Sequence, residues 1–445
     1  FFISDLKDLS ELIGILGNYL EGGEEIFVEP LCEVLQICTR PFIKEIASEE
    51  YRNFQALCDT LQALGNLLVA PNRQVQLAAG QVLETYAGAD GGQPATISYH
   101  HQVLANSKVA ENVSAGLASI TLEDRQVLLQ MLRVFLELSR TKELAIQLHE
   151  VGALSCVVEA IQCGFKTEVV SVAIEALWNV CELAPGAAQT LSTERTVLVY
   201  RDVLLELLNE GHRIQDKELR NELLLLCAYL AEEQESCGDF FADSGLLEIM
   251  LTTSSAIEYE LAEHPVKAFV LTSSSEDFEM KRAMIHIVCL LSANEHCMEQ
   301  AAAHPCFIPA LVLHLDEHLA HHAARRKFSR QHERQLQVQV LASLATLVPG
   351  CSERFLELGG IDIVLEFVTA QSEEALRSAS LHLLVSTATL PGFQEQMGGR
   401  AVAMMLSLVK ERELHPYGIR QDAMLLLSKL CARCMENQVV IGELE

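Results

Sequence analysis

The sequence predicts an all-α fold, an armadillo/HEAT-type right-handed superhelical solenoid, and three observations carry that prediction. Half of the 445 residues are apolar while only 6% are aromatic, and prolines number 11. Such a composition favours long helices over the Val/Thr/Tyr-rich strands of a sandwich. A chain of this length exceeds the size at which one hydrophobic core keeps growing, so it must split into domains or extend as stacked units. A recurring order of apolar helix, short amphipathic stretch, glycine turn and apolar helix selects the stack.

That order is clearest from Leu138 to Leu154, from Leu230 to Leu247 and from Leu347 to Ile361. Gly152, Gly245 and Gly359-Gly360 sit where the chain must reverse, a place for φ > 0. Matching helix ends fall at Ser139, Glu182, Ala231, Ser292, Val348, Leu390 and Cys431, at intervals of 43, 49, 61, 56, 42 and 41 residues. The short intervals suit two- or three-helix repeats of about 40 to 47 residues. The long ones call for insertions, expected at Thr252 to Ser275 and His314 to Arg330. Nearer the N-terminus, Phe54 to Leu68 and Val75 to Tyr86 read as a helical pair around Ala70-Pro71-Asn72, followed by a loop from Gly88 to Pro94. The expected organisation is N-terminal helical repeats over 1–95, central repeats with both insertions over 96–350, and C-terminal repeats over 351–445. No repeat can bury its apolar face alone, so neighbours must stack into one core, giving a curved rod with a long groove.

Charge and motif content narrow the function classes. With 61 acidic and 32 basic residues the net charge is −29, which repels polyanions and argues against nucleic acid as a partner. No apolar run approaches the roughly 20 residues of a membrane span, and no membrane partner is expected. Of the 14 cysteines, Cys58, Cys156, Cys181, Cys227 and Cys289 lie in apolar helical runs without regular spacing, so they read as small hydrophobes in a reducing compartment. Cys431-Ala432-Arg433-Cys434 has redox spacing but no βαβ context. Asn112-Val113-Ser114 has the form of a glycosylation site, a triplet that often arises by chance. GxGxxG, HExxH and GxSxG are absent, and Gly164-Phe165-Lys166-Thr167 lacks the Gly-Lys of a phosphate loop. We therefore expect no catalytic residue, no cofactor and no metal site. The start at Phe1 without a methionine and the stop at Glu445 lead us to expect the ordered part of a longer polypeptide.

The candidate sites are surfaces for other proteins. Ala176-Leu177-Trp178-Asn179-Val180-Cys181-Glu182 carries the single tryptophan. Peptide-binding armadillo proteins present a Trp with an Asn one turn later, but here that turn brings Glu182, and no second Trp follows. Trp178 thus reads first as a packing residue and second, with Glu182, as a partner contact. His314, His318, His321 and His322 could share a helical face, yet no carboxylate or Cys of diagnostic spacing joins them. Arg325, Arg326, Lys327, Arg330 and Arg334 form the dense basic cluster of an acidic chain. Either it is a solvated insertion, or it meets an acidic surface such as a tubulin tail.

Four strings carry a resemblance: Arg40 to Lys44, Asp216 to Leu223, Ser274 to Arg282, and Ser329 to Gln337. Locally, Asp216 is placed to cap a helix through Leu226 with Arg220 as its ion-pair partner. Ser275-Glu276-Asp277 opens another helix, with Lys281 four after Asp277. In their order and separations the strings resemble the armadillo-type cilia- and flagella-associated protein 69 family over roughly residues 30 to 370. The final repeats match in general character. The resemblance implies a scaffold on the C1 microtubule of the ciliary central pair, in the projection labelled b. It also implies large projection scaffolds, a heat-shock chaperone and enolase as partners, and brings no catalytic residues. The rival reading is a soluble adapter binding short peptides, which should show a repeated ladder of polar groove residues. No such ladder is evident, so the scaffold leads.

Overall fold

The computed structural model describes residues 3–21, 25–42, 50–88, 94–232, 237–256, 269–316, 328–369, 373–411, 415–432 and 434–444. Among these residues there are helices, turns and short 3₁₀ segments but no strand. They form two compact units, 1–207 and 208–445. The expected all-α repeat architecture is what the chain adopts.

In the first unit α1 (Ile3–Glu21), α2 (Val28–Phe42) and α3 (Glu50–Asn66) lead to α4 (Arg73–Gly88). Then come α5 (Pro94–Ala105), α6 (Val109–Ser119), α7 (Arg125–Ser139), α8 (Lys142–Glu150), α9 (Leu154–Ala160), α10 (Glu168–Leu183) and α11 (Ala187–Leu191). The unit boundary falls inside α12 (Glu194–Glu210). The Ala70-Pro71-Asn72 break behaves as read: Asn72 Oδ1 accepts from the N–H groups of Gln74 (2.9 Å) and Val75 (3.4 Å), capping α4. The long helices α4, α7 and α10 pack side by side in sequence. Their inward stripes, including Leu83, Leu132, Phe135, Ala173 and Leu177, are fully buried. A stack of this kind is held by apolar area that each helix alone would leave in water.

The second unit repeats the scheme with α13 (Ile214–Glu232), α14 (Gly238–Ser244), α15 (Leu246–Ser255), α16 (Ser275–Leu291), α17 (Glu295–Ala303) and α18 (Phe307–Leu315). It continues with α19 (Arg330–Leu347), α20 (Ser352–Glu357), α21 (Gly360–Glu366), α22 (Glu374–Thr387), α23 (Phe393–Lys410), α24 (Tyr417–Cys431) and α25 (Met435–Leu444). Long helices again stack in order, α13 on α16, α16 on α19, α19 on α22 and α22 on α24.

Of the seven expected helix ends, six lie within one residue of those observed, while α22 stops at Thr387 rather than Leu390. There Ser386 and Thr387 both donate their hydroxyls to the Leu383 carbonyl at 2.8 Å, competing with continuation of the backbone ladder. Gly152, Gly245 and Gly359 adopt φ of 75°, 80° and 68°, the left-handed turn expected of them. Gly398 (φ 45°) kinks α23 at the corresponding place, a turn that the sequence reading passed over.

The insertion boundaries need correction. Thr252 to Ser255 belong to α15 and are buried, because Ser254 and Ser255 donate to the Leu251 carbonyl (3.1 and 2.7 Å) and so satisfy themselves inside a core. Likewise His314 and Leu315 complete α18. Residues 257–268 and 317–327, within the expected insertions, lie outside the described residues, as do 89–93 of the expected N-terminal loop.

Candidate functional site

One face of the first unit shows how its long helices are tied together. Gln130 on α7 donates to Glu84 on α4 (2.6 Å), and Gly80 opposite leaves room for the Gln130 stem, since a Cβ there would lie 2.6 Å from its Cγ. Arg133 pairs with Glu168 of α10, and Arg140 reaches both Glu137 (3.2 Å) and Glu175 of α10 (3.8 Å). Asn179 Nδ2 donates to Ser139 Oγ at 3.1 Å, bridging α10 to the end of α7. Trp178 beside it is half-buried, and Glu182, one turn on, is exposed. Asn179 holds two repeats together, while the position one turn after Trp178, where a peptide receptor carries its asparagine, is the exposed Glu182.

The basic cluster divides. Arg325, Arg326 and Lys327 lie outside the described residues, together with His318, His321 and His322. Arg330 is exposed at the first position of α19, and Arg334 is half-buried, bonded to Gln337 Oε1 (2.9 Å) and 3.8 Å from Glu373. His314 is half-buried near the end of α18, its Nδ1 3.9 Å from Glu333. Trp178 and Glu182 share a face of α10, Arg330 and Arg334 a face of α19, so the candidates form one pair in each unit.

Two of the resemblance strings meet in the second unit's core. Asp277, in the first turn of α16, is fully buried, and its carboxylate accepts from Lys217 Nζ (2.8 Å) and Arg220 Nη2 (3.0 Å) of α13. It also accepts from the Thr272 N–H (2.7 Å) and hydroxyl (2.6 Å). Asn221 Nδ2 and Arg220 Nη2 donate to the Glu276 carbonyl (2.9 and 3.1 Å), and Ser274 caps α16 by accepting from the Asp277 N–H (3.3 Å). Burial pushes the Asp277 carboxyl up, but the Lys217 hydrogen bond, the Thr272 donors and the Arg220 charge outweigh it, so its pKa lies below the ordinary carboxylate value. Burial pulls Arg220 below the usual guanidinium value, a pull that Asp277 opposes. The cluster therefore rests on an aspartate with several donors rather than on one isolated ion pair.

This geometry corrects one local assignment. Asp216 pairs with Arg213, bonding its side chain (2.8 and 3.0 Å) and accepting from its N–H (3.1 Å) as the returning half of a capping box. Arg220, one turn further, turns away from Asp216 to Asp277, because the neighbouring helix offers a buried carboxylate. Helix α16 opens at Ser275 with Glu276 and Asp277 in its first turn, as expected, and Ser274 is its N-cap. The fourth string joins through aromatic contact. Phe278 stacks on His332 of α19 (centroids 4.2 Å apart, planes 7°), while Ser329 caps α19 by accepting from His332 N–H (3.2 Å). Strings far apart in the chain thus mark the N-terminal turns of three successive stacked helices.

A further regularity went unseen in the sequence. Arg220, Lys281, Gln337, Arg377 and Arg420 stand ten to twelve residues before the ends of α13, α16, α19, α22 and α24, and the first four are at most 6% exposed. Arg377 donates to the Thr369 carbonyl (3.2 Å) and meets His415 Nδ1 at 3.1 Å just before α24, while Gln337 donates to the His314 carbonyl (3.2 Å). A signal existed: four of these residues stand eleven places before the expected ends Ala231, Ser292, Val348 and Cys431. Long side chains of different charge hid it. The ladder lies inside the stack, where it ties layers to one another.

Burial raises the Cys181 and Cys297 thiols to about 12, keeping them protonated, and the cysteines among the described residues are free, including Cys431 and Cys434 beside the α24–α25 turn. No set of three or more His, Cys, Asp or Glu side chains converges as a metal site among the described residues. Among the described residues no single helix is long and apolar enough to cross a membrane. The short helices carry acidic pairs one turn apart, Asp239 and Asp243, Glu295 and Glu299, Glu353 and Glu357, flanking two open surface depressions that share Glu299.

Comparison with known proteins agrees with the architecture. Among solved structures, the chain is similar to the crystal structure of an engineered protein, at 14% identity and a TM-score of 0.51 over 94% of this chain and 98% of that one, a likeness that bears on the fold alone. It is 22% identical over 483 residues to cilia- and flagella-associated protein 69 of Papio anubis and to that of Homo sapiens, covering 98% of this chain and 50% of each relative. The chain therefore spans about half the length of these curated relatives. The family model for cilia- and flagella-associated protein 69, ARM repeat, matches residues 1–441, and with helical repeats throughout the described residues, this chain belongs to that armadillo-repeat family.

Proposed function

We propose that the chain is a non-catalytic structural scaffold of motile cilia or flagella, held in the axonemal central apparatus on the C1 microtubule, within the b projection. The observation that carries the reading is the family match over residues 1–441, whose named relatives are cilia- and flagella-associated proteins. The inter-repeat bonding supports a scaffold over a reversible peptide adapter. Asn179 is engaged with Ser139, and the polar ladder of the second unit is buried, so neither offers a repeated row of free groups to a passing peptide.

Partners under this reading are other central-apparatus proteins, among them large projection scaffolds, a heat-shock chaperone and enolase. We assign partner contact to Trp178 and Glu182 on α10, and to Arg325, Arg326, Lys327 and Arg330 with Arg334 at the entry to α19. The half-exposed Trp178 and the exposed Glu182 and Arg330 support this choice. Tubulin, with its acidic tails, fits the basic segment and not the row of acidic pairs on α14, α17 and α20, where like charges repel.

The test is retention in demembranated axonemes. A tagged copy should stay with the axoneme through a salt wash, and its loss should disturb beat waveform with the outer doublets intact. Release with the soluble matrix refutes the scaffold reading. Charge reversal of Arg325, Arg326 and Lys327 should reduce incorporation, and unchanged incorporation removes that segment from the interface.

A further inference from the structure

The turn between α24 and α25 holds two cysteines, Cys431 as the last residue of α24 and Cys434 immediately before α25. Both thiols are free and half-buried, while Cys58, Cys227, Cys237, Cys297 and Cys351 are buried. The Cys434 N–H donates to the Cys431 carbonyl at 3.4 Å. A bond of that kind closes a four-residue turn whose end Cα atoms lie within about 7 Å, and a disulfide spans about 4.4–6.8 Å between Cα atoms. The backbone therefore brings the two residues to bridging distance without a βαβ unit.

The turn is also fixed in place. Gln394 Nε2 of α23 donates to the Lys429 and Ala432 carbonyls (2.9 and 3.3 Å), and from α25 Asn437 Nδ2 donates to the Leu430 carbonyl (3.0 Å) and Gln438 Nε2 to that of Cys431 (2.8 Å). The last carbonyls of α24 thus accept from side chains on both neighbouring helices, which orders the turn before any reaction. Turns at the corresponding place in earlier layers stay at the surface under a further stacked layer. Pro349 and Gly350 after α19, and Pro391 and Gly392 after α22, are exposed although α22 and α24 pack on those helices. A turn at this place is therefore reached by solvent whether or not another helix covers the flank of α24.

We propose that Cys431 and Cys434 form a site of reversible two-electron oxidation, closing to a disulfide on reaction with a hydroperoxide and reopening by exchange with a dithiol. Cys434 precedes the first turn of α25, where a helix N-terminus favours negative charge, and Cys431 closes α24, where a C-terminus disfavours it. Burial, and then the neighbouring Cys434, push the Cys431 thiol up. Cys434 is accordingly the attacking sulfur and Cys431 the resolving one. Once its proton has left, the Cys434 sulfur bonds one oxygen of hydrogen peroxide as the O–O bond breaks. The departing hydroxide takes up that proton as water, leaving a sulfenic acid. The Cys431 sulfur then bonds to Cys434 Sγ as the S–O bond breaks, and its proton leaves with the hydroxyl as a second water. Two thiols lose two electrons in all, and one peroxide gains them. The disulfide clips the end of α24 to the start of α25. This site stands apart from the ciliary reading, and either can fail alone.

The reduced 445-residue chain is treated with hydrogen peroxide, its remaining thiols are alkylated, and its tryptic peptides are measured by mass spectrometry. Cleavage after Lys429 and Arg433 separates the two cysteines, so the disulfide shows as Leu430–Arg433 joined to Cys434–Glu445, lighter than the free pair by two hydrogens. We expect closure at least about tenfold faster than loss of the half-buried Cys163 thiol, since the second thiol is held beside the first. Helical circular dichroism should stay unchanged, and dithiothreitol should reverse the closure. In Cys431→Ser the sulfenic acid should persist on Cys434 and be trapped by dimedone, whereas Cys434→Ser should trap little on Cys431. Absence of the joined peptide overturns the proposal, as does closure no faster than the loss of Cys163 or closure only once the helical signal falls. A joined peptide found only in disulfide-linked dimers on a non-reducing gel overturns it too. Equal trapping in the two variants overturns the assignment of Cys434 as the attacking sulfur.

Discussion

Replacing Asp277 with alanine removes the acceptor shared by Lys217 and Arg220 and leaves two cations facing each other in the core of the second unit. Their side chains are 10% and 2% exposed and the aspartate 1%, so solvent cannot take over its role. Breaking a buried pair from one side costs about 3–5 kcal/mol, because the remaining charge is uncompensated. For a unit of residues 208–445, a loss of that size lowers the unfolding midpoint by roughly 6–20 °C, at about 2–4 °C per kcal/mol. Guanidinium unfolding followed by circular dichroism, with hydrogen exchange to locate the loss, is the assay. Only protection within the second unit should fall. The combined variant Lys217→Met, Arg220→Leu, Asp277→Leu should recover most of the loss, since an apolar replacement carries no stranded charge. A loss below about 1 kcal/mol for Asp277→Ala, the range of an exposed ion pair, refutes the assignment of the cluster as the tie between α13 and α16.

Further outcomes follow from single side chains. Gly359→Ala should cost about 1–2 kcal/mol from backbone conformation alone, because its φ is 68° and nothing lies within 4 Å of an added Cβ; Gly359→Asn should cost less in the same melts. Gly360→Ala tests packing instead, since its Cβ would fall 2.5 Å from the Phe355 ring. His304 is buried, with Nδ1 accepting from the N–H groups of Cys306 (3.3 Å) and Phe307 (3.0 Å), which requires that nitrogen unprotonated. Burial lowers its pKa, Glu248 raises it and Arg354 lowers it, with a net fall. The folded state therefore binds fewer protons than the unfolded one. This stabilising contribution is present above the ordinary histidine value of about 6.5 and lost as pH falls below it. His304→Asn should flatten the dependence of the melting temperature on pH between about 7 and 5; an unchanged slope removes His304 as its source. Asn179→Ala should cost about 0.5–1.5 kcal/mol through the lost bond to Ser139, whereas Arg133→Ala, at an exposed pair with Glu168, should cost under about 1 kcal/mol. Equal losses contradict the ranking by burial.

Local physics made much of the fold legible. Helix ends recur because each apolar stripe must stop where the chain turns, and a glycine with φ > 0 is needed where no side chain tolerates the turn. Gly152, Gly245 and Gly359 announced themselves for that reason. Ser254 and Ser255 misled because their hydroxyls are polar in composition yet bond their own helix when buried. Asp216 and Arg220 misled for a related reason. One-turn spacing suggests an ion pair, but a surface pair is worth little against a buried carboxylate on a neighbouring helix.

The sequence by itself determined the helical class, the repeat period, the turn glycines and the strings that mark the family, since all of these depend on residues near one another in the chain. Tertiary structure alone decided that three of those strings converge at the starts of stacked helices and that Arg220, Lys281, Gln337 and Arg377 are buried within the stack. Those features arise from contacts made up to 60 residues apart, where burial changes the worth of a charge and no local spacing records it.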